Sequence, residues 1–288
     1  LIPASHLSPA NVYRPPAGVA PEMVAQFCAD ELEQEIVRLG ARKVAGFIFE
    51  PVVGAAGGVV PAPEGYARQV REICDRHGIL MIADEVMCGS GRCGTWRALE
   101  HDGVSPDIMA VAKGLAAGYV PLGATIYSDK VADLLQRKAG GPMTGHTFTG
   151  HTLACAAGVA VQRIVARDRL VERVAREGER LKRMLADRMG DLPALGDIRG
   201  RGFFIGLEFV ADRRTKEPFP PERGLHLRIR ARSFENGLIC YPMGGNVDGV
   251  KGDTVILAPP YNATAEELGE IVDKLDRSVR EALEEPRK

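Results

Sequence analysis

No charge of either sign is in excess: 37 basic and 38 acidic residues leave a net charge of −1. Without a global field to recruit it to nucleic acid or an anionic membrane, the chain is expected to have neither as a partner. No C-x-x-C pair occurs among the six cysteines, at 28, 74, 88, 93, 155 and 240. Their spacing gives no disulfide framework, so a reducing compartment, the cytoplasm, is expected. No apolar run reaches the length of a membrane span, and the N-terminus lacks the charged-then-apolar layout of a secretory leader. Internal repeats and low-complexity tracts are lacking too. There is also no initiating methionine: the chain opens at Leu1, as a sequence that starts partway through a larger protein would. What is present is 288 residues at 45% hydrophobic content, enough to bury one large core and a smaller one.

Residues 3 to 21 hold five prolines and no periodicity, and should run as an irregular lead-in. A helix is expected from about Pro21 to Gly40. VAGFIFEP then reads as a buried strand, YARQVREICDRHG as an amphipathic helix ending at Gly78, and ILMIAD as the next buried strand. DIMAVAKG predicts a strand from Asp107 to Ala112, and GATIYS a shorter one. Strands alternating with helices argue for an α/β fold with a mostly parallel sheet sandwiched by helices. From Leu153 two long helical patterns run to about Arg188. They are followed by the strand-like DIRGRGFFIGLEFV, a helix near Glu222 to Gly237, strands GLICYP and TVILAP, and a closing helix from Thr264. The expected domains are a large one over 1–165 and a smaller C-terminal α+β one over 166–288.

The stretch IADEVMCGSGRCG holds a G-x-G-x-x-G at Gly89, Gly91 and Gly94. A dinucleotide fingerprint needs its first glycine directly off the strand and its third opening a helix. Here Asp84 and Glu85 intervene and TWRALEHDG follows, so the context fails. The glycines read instead as a turn that needs positive φ. His146 and His151 have no acidic or cysteine company, so no metal site is expected. Arg92 and Arg201 read as structural donors to backbone.

Ligands of open α/β sheets sit outside the carboxyl ends of the strands, where Glu50, Asp84 and Lys113 all fall. An apolar run ahead of Lys113 would partly desolvate it, which favours the neutral, nucleophilic amine. An acid at one strand end and a lysine at another meet two demands of pyridoxal phosphate: an amine to carry it and a carboxylate for its pyridinium nitrogen.

Four motifs, FEPVVGAAGG, IADEVMCGSGRCG, DIMAVAKGLAAGYVPLGA and GHTFTGHTLACAAG, resemble in order and spacing the class III aminotransferases of pyridoxal-phosphate fold type I. The likeness runs from about Val44 to the end of the chain. It implies a ping-pong transaminase passing an amino group from an amine or amino-acid donor to a pyruvate-like keto acid. It also implies Lys113 as the Schiff-base lysine, Asp84 as partner of the pyridine nitrogen, and Val86 against the ring. Thr147 would bind the phosphate of the neighbouring subunit in a homodimer. Aminomutases, racemases and decarboxylases share this apparatus, and an inactive chain with a structural role is the other alternative.

Three departures from the family pattern stand out. Met87 replaces a glutamine near the cofactor's phenolic oxygen. Ala55 and Ile256 stand where many members place a glutamate and an arginine that together receive the α-carboxylate. Nothing before Pro21 resembles the family's phosphate loop or ring-stacking aromatic, which implies that an N-terminal part is missing.

Overall fold

The computed structural model describes residues 3–284. Along the chain run α1 (Val24–Leu39), β1 (Gly46–Phe49), β2 (Val52–Val53), β3 (Val60–Pro61), α2 (Tyr66–His77), β4 (Leu80–Asp84), β5 (Ile108–Val111) and β6 (Ala124–Tyr127). They continue with α3 (Asp129–Ala139), α4 (Thr152–Arg167), α5 (Leu170–Met189), β7 (Leu195–Arg201), β8 (Phe204–Phe209), α6 (Leu225–Glu235), β9 (Tyr241–Gly244), β10 (Asp253–Leu257) and α7 (Ala265–Glu284). These form two compact units. The first takes the chain through Pro51 with Ala62–Ser90 and Arg97–Arg167; the second takes Val52–Pro61, Gly91–Trp96 and the chain from Asp168.

In the first unit the sheet order is β1-β4-β5-β6. β1, β4 and β5 pair in parallel, and β6 pairs antiparallel with β5. Gly46 sits where a Cβ would lie 2.5 Å from the Leu80 carbonyl oxygen, so a glycine is needed for β1 to approach β4. α1 buries Val24, Cys28, Ala29, Leu32 and Ile36, one face of a 3.6-residue period. α2 buries Tyr66, Ala67, Val70, Ile73 and Cys74. It ends at Gly78, φ +66, with the Ile79 N–H closing on the Cys74 carbonyl, a left-handed glycine termination.

In the second unit an antiparallel sheet, β7-β8-β10-β9, packs with α5, α6 and α7. Val255, Leu257, Leu207 and Phe209 meet Leu181, Leu185, Ile229 and Leu275 in its core.

The run DIRGRGFFIGLEFV is not one strand but the hairpin β7–β8, turning at Gly202 with φ +55. Only Gly202 and Phe203 separate the two strands, too short a turn to break the run in sequence. GLICYP forms strand only from Tyr241. β6 reverses the parallel run, and α3 was not expected, although Val131, Leu134 and Leu135 give it an apolar side; it buries none of its residues.

Candidate active site

Because β1, β4 and β5 are parallel, Glu50, Asp84 and Lys113 all leave the same end of the sheet. Asp84, the last residue of β4, is in register with Ala110 of β5, and the next N–H, of Glu85, donates to the Ala110 carbonyl at 2.9 Å. Lys113 follows three residues later. Asp84 is half-buried. Its Oδ1 accepts the Val86 N–H at 3.1 Å, and among the described residues Oδ2 has no hydrogen-bond donor. Val86 is half-buried beside it.

Glu85 points the other way and is fully buried. Its Oε2 accepts the Ala98 N–H at 2.6 Å and its Oε1 the Leu99 N–H at 3.1 Å. Burial pushes this carboxyl above the usual range, and the two N–H groups only partly offset it. Gly89 packs onto it: a Cβ there would lie 2.9 Å from Glu85 Oε2. The first glycine of the triplet thus serves close approach, while Gly91 and Gly94 have φ +98 and +85.

Lys113 has φ +42 and opens a single 3₁₀ turn, Lys113–Leu115; Ala117 follows with φ +50. Left-handed backbone costs a non-glycine residue roughly 1–2 kcal/mol, and such strain concentrates at functional sites. Lys113 is exposed rather than partly desolvated, because β5 stops at Val111 and the lysine lies in the turn beyond it. It has no ion pair among the described residues.

Thr147 lies in an exposed turn of the same unit, with no hydrogen bond to Asp84 or Lys113. Around it, the His146 N–H donates to Thr149 Oγ1 at 2.8 Å, and His151 Nδ1 accepts the Ala154 N–H at 3.2 Å in the first turn of α4. Both histidines therefore have local backbone roles.

The second unit holds Ala55, Arg92, Arg201 and Ile256, while Met87 lies in the first. Arg199, Gly206, Ile256 and Tyr241 form one row across its sheet. Ile256 is 2% exposed. Two residues along β10, Thr254 meets Gly58, where a Cβ would lie 2.7 Å from the threonine methyl, so the 52–61 segment lies on this face. Arg199 is the buried cation of the row and is committed: Nη1 to Glu208 at 2.6 Å and Asp197 at 3.2 Å, Nη2 to the Gly57 carbonyl, and Nε to those of Gly58 and Val59. Those bonds hold Val59 at φ +60. Arg92 donates to the carbonyls of Phe203 and Pro259 and stacks on Tyr261 at 4.5 Å, a backbone tie as its sequence context suggests.

An acid and a lysine thus stand at the ends of adjacent parallel strands of an α/β sheet. The sequence matches "Aminotransferase class-III" over residues 5–279, and the chain belongs to that family. It is 44% identical over 279 residues to an aminotransferase of Gibberella zeae, covering 96% of this chain and 55% of that one. An (S)-enantioselective omega-transaminase from Thermomicrobium roseum superposes with a TM-score of 0.88 at 35% identity, over 97% of this chain and 60% of that one. An amine transaminase from an uncultivated Pseudomonas species, solved in its PLP-bound form, does so with 0.86 at 37% identity, over 96% and 61%. The chain thus spans little more than half the length of these relatives. Among the described residues no helix is long and apolar enough to cross a membrane.

Proposed function

We propose that this chain carries the lysine and the acid of a pyridoxal-phosphate-dependent aminotransferase that moves an amino group from an amine or amino-acid donor to a pyruvate-like keto acid. The observation that carries the reading is the juxtaposition of Asp84 and Lys113 at neighbouring strand ends, within a chain of this family. The residues fit the cofactor. Asp84 keeps one carboxylate oxygen without a donor among the described residues, and Lys113 is an exposed amine on strained backbone.

When bound, pyridoxal phosphate supplies a sink for the electron pair left on the donor carbon as its proton departs. Asp84 accepts the pyridine N–H and holds that proton on the ring nitrogen, while Val86 packs against the ring face. Lys113 Nζ holds the cofactor covalently between turnovers. Freed from the cofactor by a donor amine, Nζ would be the base that takes the proton from the amino-bearing carbon and the acid that returns it, so that no net proton is lost in the transfer to the keto acid. Thr147 binds the phosphate of a neighbouring subunit, so the working unit is a homodimer. All six cysteines are free thiols, which supports a cytoplasmic setting.

Neither Ala55 nor Ile256 offers charge to a substrate carboxylate, and Arg199 is already committed. A buried carboxylate without a partner costs several kcal/mol, on the order of a lost buried ion pair. The α-carboxylate of the keto acid is therefore received by a cation other than Arg199 and away from Ala55 and Ile256, and donors without an α-carboxylate, simple amines and ω-amino acids, are expected ahead of glutamate.

Borohydride reduction of the holoenzyme and peptide mass mapping should place the pyridoxyl group on Lys113. Asp84→Asn should retain cofactor yet lose on the order of a hundredfold in turnover. A label on Lys43, Lys130 or another lysine overturns the assignment, and glutamate as best donor in a panel overturns the substrate class.

A further inference from the structure

We propose that Gln162 is a positioning residue for Lys113. The inference rests on the reading of Lys113 as the cofactor-bearing amine, and its observations are independent of that reading. Gln162 lies on α4, and its Nε2 donates to the Leu115 carbonyl at 3.0 Å and approaches that of Gly114 at 3.5 Å. These are the carbonyls of the two residues directly after Lys113. One turn earlier on the helix, Gly158 makes room for the end of the Leu122 side chain, where a Cβ would lie 2.6 Å from Cδ2, and faces the Leu115 carbonyl at an ordinary contact distance of 3.9 Å. Ala154, Gly158, Val161 and Val165 form the buried stripe of α4, with Gln162 at its border.

The turn needs an external hold. Lys113 and Ala117 are both left-handed, with φ of +42 and +50. Of the bonds that close the turn from within, Leu115 N–H to the Ala112 carbonyl is 2.9 Å, but the two that span the left-handed residues, Ala116 N–H to the Lys113 carbonyl and Ala117 N–H to the Gly114 carbonyl, are each 3.3 Å. Strained backbone of this kind relaxes unless its surroundings over-determine it. The side-chain amide of Gln162 orients the 114 and 115 peptide planes, and through them the direction in which Lys113 leaves the backbone. A polar side chain in the middle of a helix whose partner is another segment's main chain is a fixed contact, not a solvated face.

The test compares the wild-type holoenzyme with Gln162→Met, which keeps length and removes the donor, and Gln162→Glu, which keeps shape and turns oxygens toward the two carbonyls. The readouts are the rate at which apoprotein mixed with pyridoxal phosphate develops the visible absorbance of the lysine-bound cofactor, the pH midpoint of that band, and Tm. Loss of the donor should slow holoenzyme formation about fivefold or more. It should also move the midpoint by about half a unit, with Tm within about three degrees of wild type. If one variant fails to fold, the other decides. Wild-type rate and midpoint in the folded variants overturn the proposal. Borohydride mapping of the wild type separates the two failures. A label away from Lys113 removes the site reading and this inference with it; a label on Lys113 with indifferent variants removes this inference alone.

Discussion

Glu85 keeps a carboxylate in the interior of the first unit with only two backbone N–H groups to receive its charge. Its folded-state pKa is raised, chiefly by burial. The stability it contributes is therefore fully present below the unfolded carboxylate value of about 4.3 and is lost as pH rises through the folded value. Glu85→Gln cannot titrate and presents an amide N–H2 to one of two donors, costing about 1–2 kcal/mol. The gap between wild type and variant in urea denaturation should be widest in acid and should narrow toward neutrality. A gap independent of pH would show that Glu85 does not titrate as described. At this scale Asp84 and Lys113 were legible, since an acid and a lysine closing apolar runs mark strand ends. The reason for Gly89 was not: only the fold shows that it makes room for Glu85. Gln162 gave no signal either, because a polar residue in an amphipathic helix reads as a solvated position.

Among the elements, α5 meets the β7–β8 hairpin at Gly178, where a Cβ would sit 2.3 Å from the Gly202 carbonyl oxygen. Two effects oppose each other in Gly178→Ala. Helix propensity favours alanine by about 1 kcal/mol, but the obstacle is backbone, and overpacking of that kind typically costs about 1–3 kcal/mol. The clash should win, with a net loss of up to about 2 kcal/mol in chemical denaturation; a stabilised variant would mean that α5 can move off the hairpin. Helices with long apolar stripes were legible to within a few residues. The hairpin was not, because its turn takes only Gly202 and Phe203, with no polar loop between the two strands. β2 and β3, two residues each, are too short to have any period.

At the scale of the molecule, the two units exchange segments along the chain: 52–61 and 91–96 precede the rest of the second unit by many residues. Sequence texture changes from Leu153 but cannot mark these two insertions, whose identity depends on distant partners such as Arg199. Expressed as 168–288 alone, the second unit would leave Arg199 without the carbonyls of Gly57, Gly58 and Val59 and the β8–β10 face without Gly58 and Val59. Near-UV circular dichroism should show a loosely packed species, and adding 52–61 as a peptide should restore part of the signal. A native-like spectrum without that segment would show that the face packs without it. The same interleaving sets a timetable for synthesis. Gly57 and Arg199 are 142 residues apart. At about 5–20 residues per second a ribosome needs roughly 7 to 28 s to deliver the arginine after the glycine. During that interval the left-handed turn at Val59 has no guanidinium to hold it. The second unit therefore matures only after translation has passed β8 and β10, and a nascent chain that stalls earlier presents the 52–61 segment, with its valines, to whatever chaperone stands at the tunnel exit.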